Sequence, residues 1–508
     1  MSPRPVITLA GILFLLSGVF TAQQPARQPG LQTRPVDEAS VCDQRGVKLA
    51  ESGNFSAALE QFRSALRLNP NYAEAWYHLG LAYDQARETD QAMAGFEEAL
   101  RLQPNYVEAR YMLADCCRKR GDFNGELNVL AQVVAQAPQF AEAHYNYGLA
   151  LKNRGKLQAA IEELRAAVRL SSGNVKYMLA LGISLADVDR NEAVSVLRKA
   201  AQHGADTADA HYNFGLALAT NGDDIAAERE LNHALQINPK HASALRALGV
   251  TLMHEGNLEQ AATAFRRTLE VAPTDAEAAN NLGTVQLRLK DYRGAVESLE
   301  RAVRLNPTLI KAHASLAQAY QRSGRTSDAQ HESERVATLT TQLRNRGRAM
   351  VGVQSAIEQF NRGRVADALT TLREVIDVAP DFPDAHLELG RFLRNSGGDP
   401  NTAIASFRRV LSLDPERAEA HYEIGLTLER AGRKTEALPE YQMAVEMTPC
   451  SVDAKEALGR TALEAGQWSI AAAQFRGVVA VRPRDLDARN GFDRAIAHLT
   501  QNASLKPN

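Results

Sequence analysis

The stretch AEAWYHLGLAYDQARETDQAMAGFEEALRLQPNY, residues 73–106, decides the fold. Trp76, Leu79, Gly80 and Tyr83 stand at its positions 4, 7, 8 and 11, one stripe of a first helix. Ala92, Phe96 and Ala99, at positions 20, 24 and 27, make the stripe of a second helix. Pro104 closes the stretch at position 32, and the pattern starts again. Pro70, Pro104 and Pro138 are each 34 residues apart, as are Gly46 and Gly80, Ala58 and Ala92, and Phe62 and Phe96. A helical hairpin repeating at this period buries its apolar stripes only against its neighbours, so the chain stacks as an all-α solenoid.

Thirteen units start near residues 39, 73, 107, 141, 175, 208, 242, 276, 310, 349, 383, 418 and 452. Position 8 is Gly or Ala in every one of the thirteen, because a larger side chain there would push two packed helices apart. Position 20 is Ala in twelve units, Glu126 being the exception. Unit 73–106 carries nearly all of the W-x2-L-G-x2-Y…A-x3-F-x2-A…P signature, so the chain resembles the tetratricopeptide-repeat (TPR) family over roughly residues 39–485. That resemblance implies a right-handed superhelix whose first helices line a concave groove. Trp76 and Trp468, at positions 4 and 17, read as ordinary repeat positions.

The boundaries follow from the register. The expected organisation is an array over 39–341 (nine repeats), an irregular junction over 342–348, a second array over 349–485 (four repeats), a lone capping helix over 486–499 and a disordered tail over 500–508. Ala488, Phe492, Ala495 and Ile496 supply the apolar side of the cap, with Asp493 outward. The junction is expected because Thr341 replaces the closing Pro and the next unit begins five residues late. Ser333, Gly352, Ser355 and Gln359 there offer little apolar area, so a prolonged second helix over about 327–346 and a softer seam between two cooperative blocks are expected. Smaller irregularities are a deletion near Asp189 and an insertion at Gly397–Gly398.

Residues 1–22 read as a signal peptide or an uncleaved N-terminal anchor: Arg4 precedes the apolar Val6–Phe20, too short to span a bilayer comfortably. Residues 23–38 read as a disordered linker. The expected location is therefore the periplasm or cell envelope, or outside the cell, with inner-membrane attachment if the segment is not cleaved. A balance of 58 Lys+Arg against 60 Asp+Glu gives −2, which excludes the basic footprint of a general nucleic-acid binder. The four cysteines, Cys42, Cys116, Cys117 and Cys450, show no spacing that invites a bridge and read as small buried thiols.

No HExxH, GxSxG, P-loop or dinucleotide fingerprint occurs, so neither an enzyme nor a cofactor is expected. His144, His211, His313, His386 and His421 all occupy position 4, the Trp slot. Equivalent residues of stacked units stand too far apart to share one ion, so no metal is expected either. The informative surface is the one the TPR resemblance assigns to the groove. Tyr77, Tyr111, Tyr145 and Tyr212 stand at position 5, and Asn146 and Asn213 at position 6. Tyrosine offers an apolar body with a polar tip, and asparagine both donates and accepts. The asparagines are partly similar to the ladder in the TPR arrays of O-linked N-acetylglucosamine transferases, without the catalytic domain. Two readings of these tyrosines stand side by side: groove contacts for a partner, or ordinary helix packing.

The expected function is a non-enzymatic scaffold that binds an extended peptide or protein in the groove, at Tyr77, Tyr111, Tyr145, Asn146, Tyr212 and Asn213. The alternatives are a substrate-recruiting subunit of an enzyme on another chain, or a membrane-tethered assembly or secretion component of the envelope.

Overall fold

Twelve of the thirteen repeats are built around a tight helix reversal whose chemistry sits at position 15. Gly121 and Gly256 adopt φ of 78° and 87° there, the left-handed region that glycine enters at no steric cost. Eight further repeats also carry a positive-φ Gly at this position; Arg87 and Lys290 take it with φ of 62° and 64°. The next residue caps the second helix: Asn54, Asp122, Asp223 and Asp291 each accept from a backbone N–H three residues on.

The structure, a computed structural model, describes residues 38–504. The described residues form 26 helices and no strand, paired as antiparallel hairpins such as Ala73–Gln85 with Thr89–Leu102 and Val107–Lys119 with Phe123–Gln136. The thirteen hairpins fall on the units read from the sequence. The deletion near Asp189 shortens one first helix to Val175–Leu185, eleven residues. The expected segments 1–22 and most of 23–38, and the end of the tail, lie outside the described residues; Glu38 already opens the first helix.

Position 8 is small for a visible reason. A Cβ added at Gly46, Gly80, Gly249, Gly390 or Gly425 would stand 2.5–2.7 Å from the aromatic ring at position 24 of its own hairpin: Phe62, Phe96, Phe265, Phe407 or Tyr441. Where position 8 is Ala (Ala114, Ala317, Ala356), position 24 carries Leu130, Ser333 or Leu372. Gly182, Gly215 and Gly283 face Leu197, Leu231 and Leu299 just as closely, so the rule runs one way: a ring at position 24 always faces a glycine at position 8. Position 4 has its own task. Trp76 Nε1 donates to the Pro70 carbonyl at 2.9 Å, and Arg110 Nη2 to the Pro104 carbonyl at 2.7 Å. The Nε2 atoms of His144, His211, His313 and His386 meet the carbonyls of Pro138, Ala205, Pro307 and Pro380 at 3.0–3.1 Å. In these six repeats the slot holds a long side chain with an N–H at its tip, which satisfies the turn closing the preceding repeat; Cys42, Met178, Leu245, Ala279 and Gly352 fill it elsewhere without one.

Three expectations are corrected. The segment 342–348 is not irregular. One helix, Thr326–Asn361, runs for 36 residues through it, merging the second helix of one repeat with the first of the next. Without the proline at 341 nothing stops the helix, and Gln359 finds a polar partner in the Thr371 hydroxyl at 3.0 Å. The cap, Leu486–Ser504, is longer than expected and exposes Ile496. Gly491 takes the small position, with the Phe475 ring 2.5 Å from where its Cβ would be, and Trp468 stacks on His498 at 4.0 Å.

The third correction concerns the cysteines. Contacts divide the described residues into two compact units: one up to Ala150 and from Val353 onward, the other Leu151–Gly352. Within the first, helix Trp468–Val481 packs on Thr89–Leu102. Cys117 and Cys450 form a disulfide across 333 residues, while Cys42 and Cys116 remain thiols. Burial pushes the Cys116 thiol far above its ordinary range. Around the bridge, Lys455 pairs with Glu97, and the buried Arg110 guanidinium reaches the Ala480 carbonyl at 3.3 Å. The repeat period reports neighbours along the stack, and the bridge joins repeats that are not neighbours.

Candidate functional site

The six expected residues divide between the two units. In the first unit Tyr77 is a core residue and not a groove residue: only 3 % of it is exposed. Its ring lies 4.9 Å from that of Tyr106 and 5.9 Å from that of Phe96, and burial drives its hydroxyl far up. The cover is Tyr106, at position 34 of the same repeat. The same pairing recurs. Tyr111 packs on Phe140 at 4.9 Å, and Tyr212, in the second unit, on His241 at 5.0 Å. The signal for this lay in the sequence, as a ring 29 residues after each of these tyrosines. Tyr145 has Asn174 at that place and is half-buried; burial and then Glu142 push its hydroxyl up.

Tyr111 stays half-buried, and its hydroxyl accepts from Asn146 Nδ2 at 2.6 Å, so these two are brought together across adjacent first helices. In the second unit Asn213 turns its amide onto its own helix, donating to the Asp209 carbonyl at 2.7 Å. The Asp209 carboxylate meets His241 Nε2 at 2.9 Å, which leaves His241 Nδ1 to accept from the Ala244 N–H at 3.1 Å. His241 thereby caps helix Ala242–Glu255 and braces the Tyr212 ring.

Position 9 of the first helices differs between the units. In the first unit Leu81 there is fully buried. In the second unit the equivalent Ile183 and Leu216 are 43 % and 39 % exposed. Leu216 lies one turn beyond Tyr212, on the same helix face. The first unit carries charge at position 9, as at Asp115, and one turn further along. Lys119 bridges Asp84 and Asp115 between adjacent first helices, and Arg118 joins Asp115. Burial works to raise the Asp115 carboxyl, but Arg118 and Lys119 outweigh it and hold it below its ordinary range. Glu126, the exception at position 20, is buried, and burial pushes its carboxyl up to about 7. One group among the described residues brings metal-ligating atoms within 4.8 Å of one another: His211, Glu230 and His233.

Stacked hairpins with a close contact between positions 8 and 24 and a left-handed turn at 15 define an α-solenoid repeat protein. Residues 127–175, 353–397, 396–450 and 456–503 match the family described as "Tetratricopeptide repeat", as do residues 73–106 in a second description of it. Residues 46–86 match "TPR repeat", and 197–340 match the "Cilia and flagella-associated protein 70 middle TPR-like domain". An uncharacterized protein of Methanocaldococcus jannaschii is 36 % identical over 59 residues, covering 10 % of this chain and 69 % of that protein. The chain belongs to the tetratricopeptide-repeat family. Among solved structures it is similar to MamA from Desulfovibrio magneticus RS-1, at 24 % identity over 32 % of this chain and 95 % of that one, with a TM-score of 0.30. YrrB, described as a TPR protein with an unusual peptide-binding site, is 23 % identical over 36 % of this chain and 95 % of its own, at a TM-score of 0.30. The APC/C hetero-tetramer Cut9–Hcn1 is 15 % identical over 91 % and 96 %, at a TM-score of 0.37. TPR arrays are protein-interaction scaffolds and typically non-catalytic.

Proposed function

We propose that the chain holds an extended segment of a partner protein against its first helices, with the strongest contacts in the second unit. The observation that carries this reading is the exposed apolar edge at position 9. Ile183 and Leu216 occupy the same place on consecutive first helices and leave 43 % and 39 % of their surface in water. Large apolar side chains aligned in this way, beside a braced Tyr212 and the amide of Asn213, fit an extended chain that alternates apolar side chains with backbone polar groups. In the first unit the Tyr111–Asn146 pair and Tyr145 serve the same purpose; Tyr77 takes no part. A photo-crosslinking residue placed at 216 should capture one partner protein, whereas the same residue at the exposed second-helix position Ile225 should not. Equal labelling at both positions would remove the groove reading. Once the partner is known, Leu216→Ser should weaken binding about five- to tenfold, a loss of roughly 1–1.4 kcal/mol, without moving the melting curve.

We also propose that the chain works outside the cytoplasm. The Cys117–Cys450 bridge supports this, because disulfides persist in oxidising compartments. So does the Arg4, Val6–Phe20 pattern. A fusion of residues 1–40 to a reporter active only after export tests it, and a silent but abundant fusion would count against it.

A further inference from the structure

We propose that His211, Glu230 and His233 form a binding site for a single divalent transition-metal ion of the zinc class. The three come from one hairpin, His211 from helix Ala208–Thr220 and the other two from helix Asp224–Ile237. Their ligand atoms lie within 4.8 Å of one another. Glu230 and His233 have Glu-x-x-His spacing, which puts both on one helix face, the arrangement by which helical bundles build metal sites.

The orientation of His211 points the same way. It is buried, and its Nε2 sits 3.1 Å from the Ala205 carbonyl, which only accepts. Nε2 must therefore donate, and a neutral ring then turns the lone pair of Nδ1 inward. That lone pair faces Glu230 Oε2 at 2.7 Å. A histidine held through its other nitrogen by a backbone carbonyl is the usual outer-shell arrangement of a metal ligand. Two acceptors facing each other take a proton or a metal ion between them; His313 makes the same two contacts without a third ligand, so it is His233 that singles out this pair for an ion.

The chain supplies its own control. His313–Glu332 and His421–Glu440 repeat the pair with the same 19-residue offset, at 2.6 and 2.7 Å. Three residues beyond those glutamates stand Arg335 and Met443. Only the 208 repeat has a histidine there, with its ring 4.0 Å from that of His211. His233 is exposed, so it can turn its ring edge toward an ion. Two nitrogens and one carboxylate oxygen suit zinc, cobalt, nickel or copper better than calcium or magnesium. Nitrogen and oxygen ligands at about 2.0–2.2 Å would widen the His211–Glu230 separation to about 3.3 Å and leave a fourth position on the open side.

The test uses the full chain, oxidised, free of any affinity tag and stripped of metal. Titration with Zn²⁺ alone should show one saturable equivalent, and Co²⁺ should give the visible spectrum of a four-coordinate site. His233→Ala, an exposed change that should leave the melting curve in place, should weaken Zn²⁺ binding at least tenfold, and Glu230→Gln likewise. Arg335→His should complete the second pair and raise the stoichiometry to two. Zn²⁺ affinity unchanged by His233→Ala, or no saturable equivalent in the parent chain, would overturn the proposal.

Discussion

Asp122 spends its two carboxylate oxygens on two distant parts of the chain. Oδ1 accepts from the Gly125 N–H at 2.8 Å and caps helix Phe123–Gln136; Oδ2 accepts from the Cys450 N–H at 2.8 Å, 328 residues further on. The side chain is buried. Asp122→Ala removes a cap and leaves a buried N–H without an acceptor, so it should cost about 2–4 kcal/mol in denaturant unfolding. Asp122→Asn keeps one good acceptor and should lose clearly less. If the two variants were equally stable, the second hydrogen bond would contribute nothing.

The adjacent bridge makes a separate prediction. Mass spectrometry of an unreduced digest should recover the peptides of Cys117 and Cys450 linked. Reduction should lower stability by about 2–4 kcal/mol and speed proteolysis in 434–481. Free thiols at both residues in protein made under oxidising conditions would contradict this.

The rule that a ring at position 24 faces a glycine at position 8 predicts a rescue. Gly80→Ala places a methyl 2.7 Å from the Phe96 ring and should destabilise by about 1–3 kcal/mol. Adding Phe96→Leu recreates the Ala114/Leu130 combination present one repeat later. The double variant should therefore be more stable than the two single losses summed, by at least about 0.5 kcal/mol. Additive losses would mean the two sites relax independently.

Lys290 holds φ of 64° where ten other repeats use glycine. A left-handed residue with a Cβ costs about 1–2 kcal/mol, partly offset by the extra freedom glycine gains when unfolded. Lys290→Gly should stabilise by about 0.5–1 kcal/mol, read as a higher denaturant midpoint at unchanged slope. A lower midpoint would show that Lys290 makes a contact worth more than its strain.

Glu126 predicts a pH dependence. Burial lifts its carboxyl to about 7, against the pull of Arg118 and with the help of Asp115. The native chain thus holds this proton to higher pH than the unfolded chain does. Its contribution to stability is full below the ordinary glutamate range and is lost as pH rises through about 7. Glu126→Gln should flatten stability between about pH 4.5 and 7 and raise it at neutral pH. An unchanged slope would mean that another group carries the dependence.

The repeats were legible because every hairpin restates the same spacing. Gly80 has twelve small counterparts, Ala92 eleven alanines and Pro104 nine prolines to check it against. What the period could not report is whatever occurs once. Cys117 and Cys450 carry no spacing that links them. The helix through 342–348 depended on one missing proline. Of the site, the half-buried Tyr111 and Asn146 were readable as a pair on adjacent first helices. Tyr77 was misplaced because its exposure is set by Tyr106, outside the helix that carries it. The sequence could not single out Ile183 and Leu216 from the other position-9 residues, since one stripe of a helix widens or narrows with what its neighbour covers.

The Lys455–Glu97 pair also sets a clock on biosynthesis. Glu97 leaves the ribosome 358 residues before its partner. At ordinary elongation rates that is roughly 20–70 s. During that interval the contacts of Glu97 with Lys455, of Arg110 with Ala480 and of Cys117 with Cys450 cannot form. The first unit therefore closes only after the last repeats exist, so its final packing and its bridge follow synthesis of the whole chain.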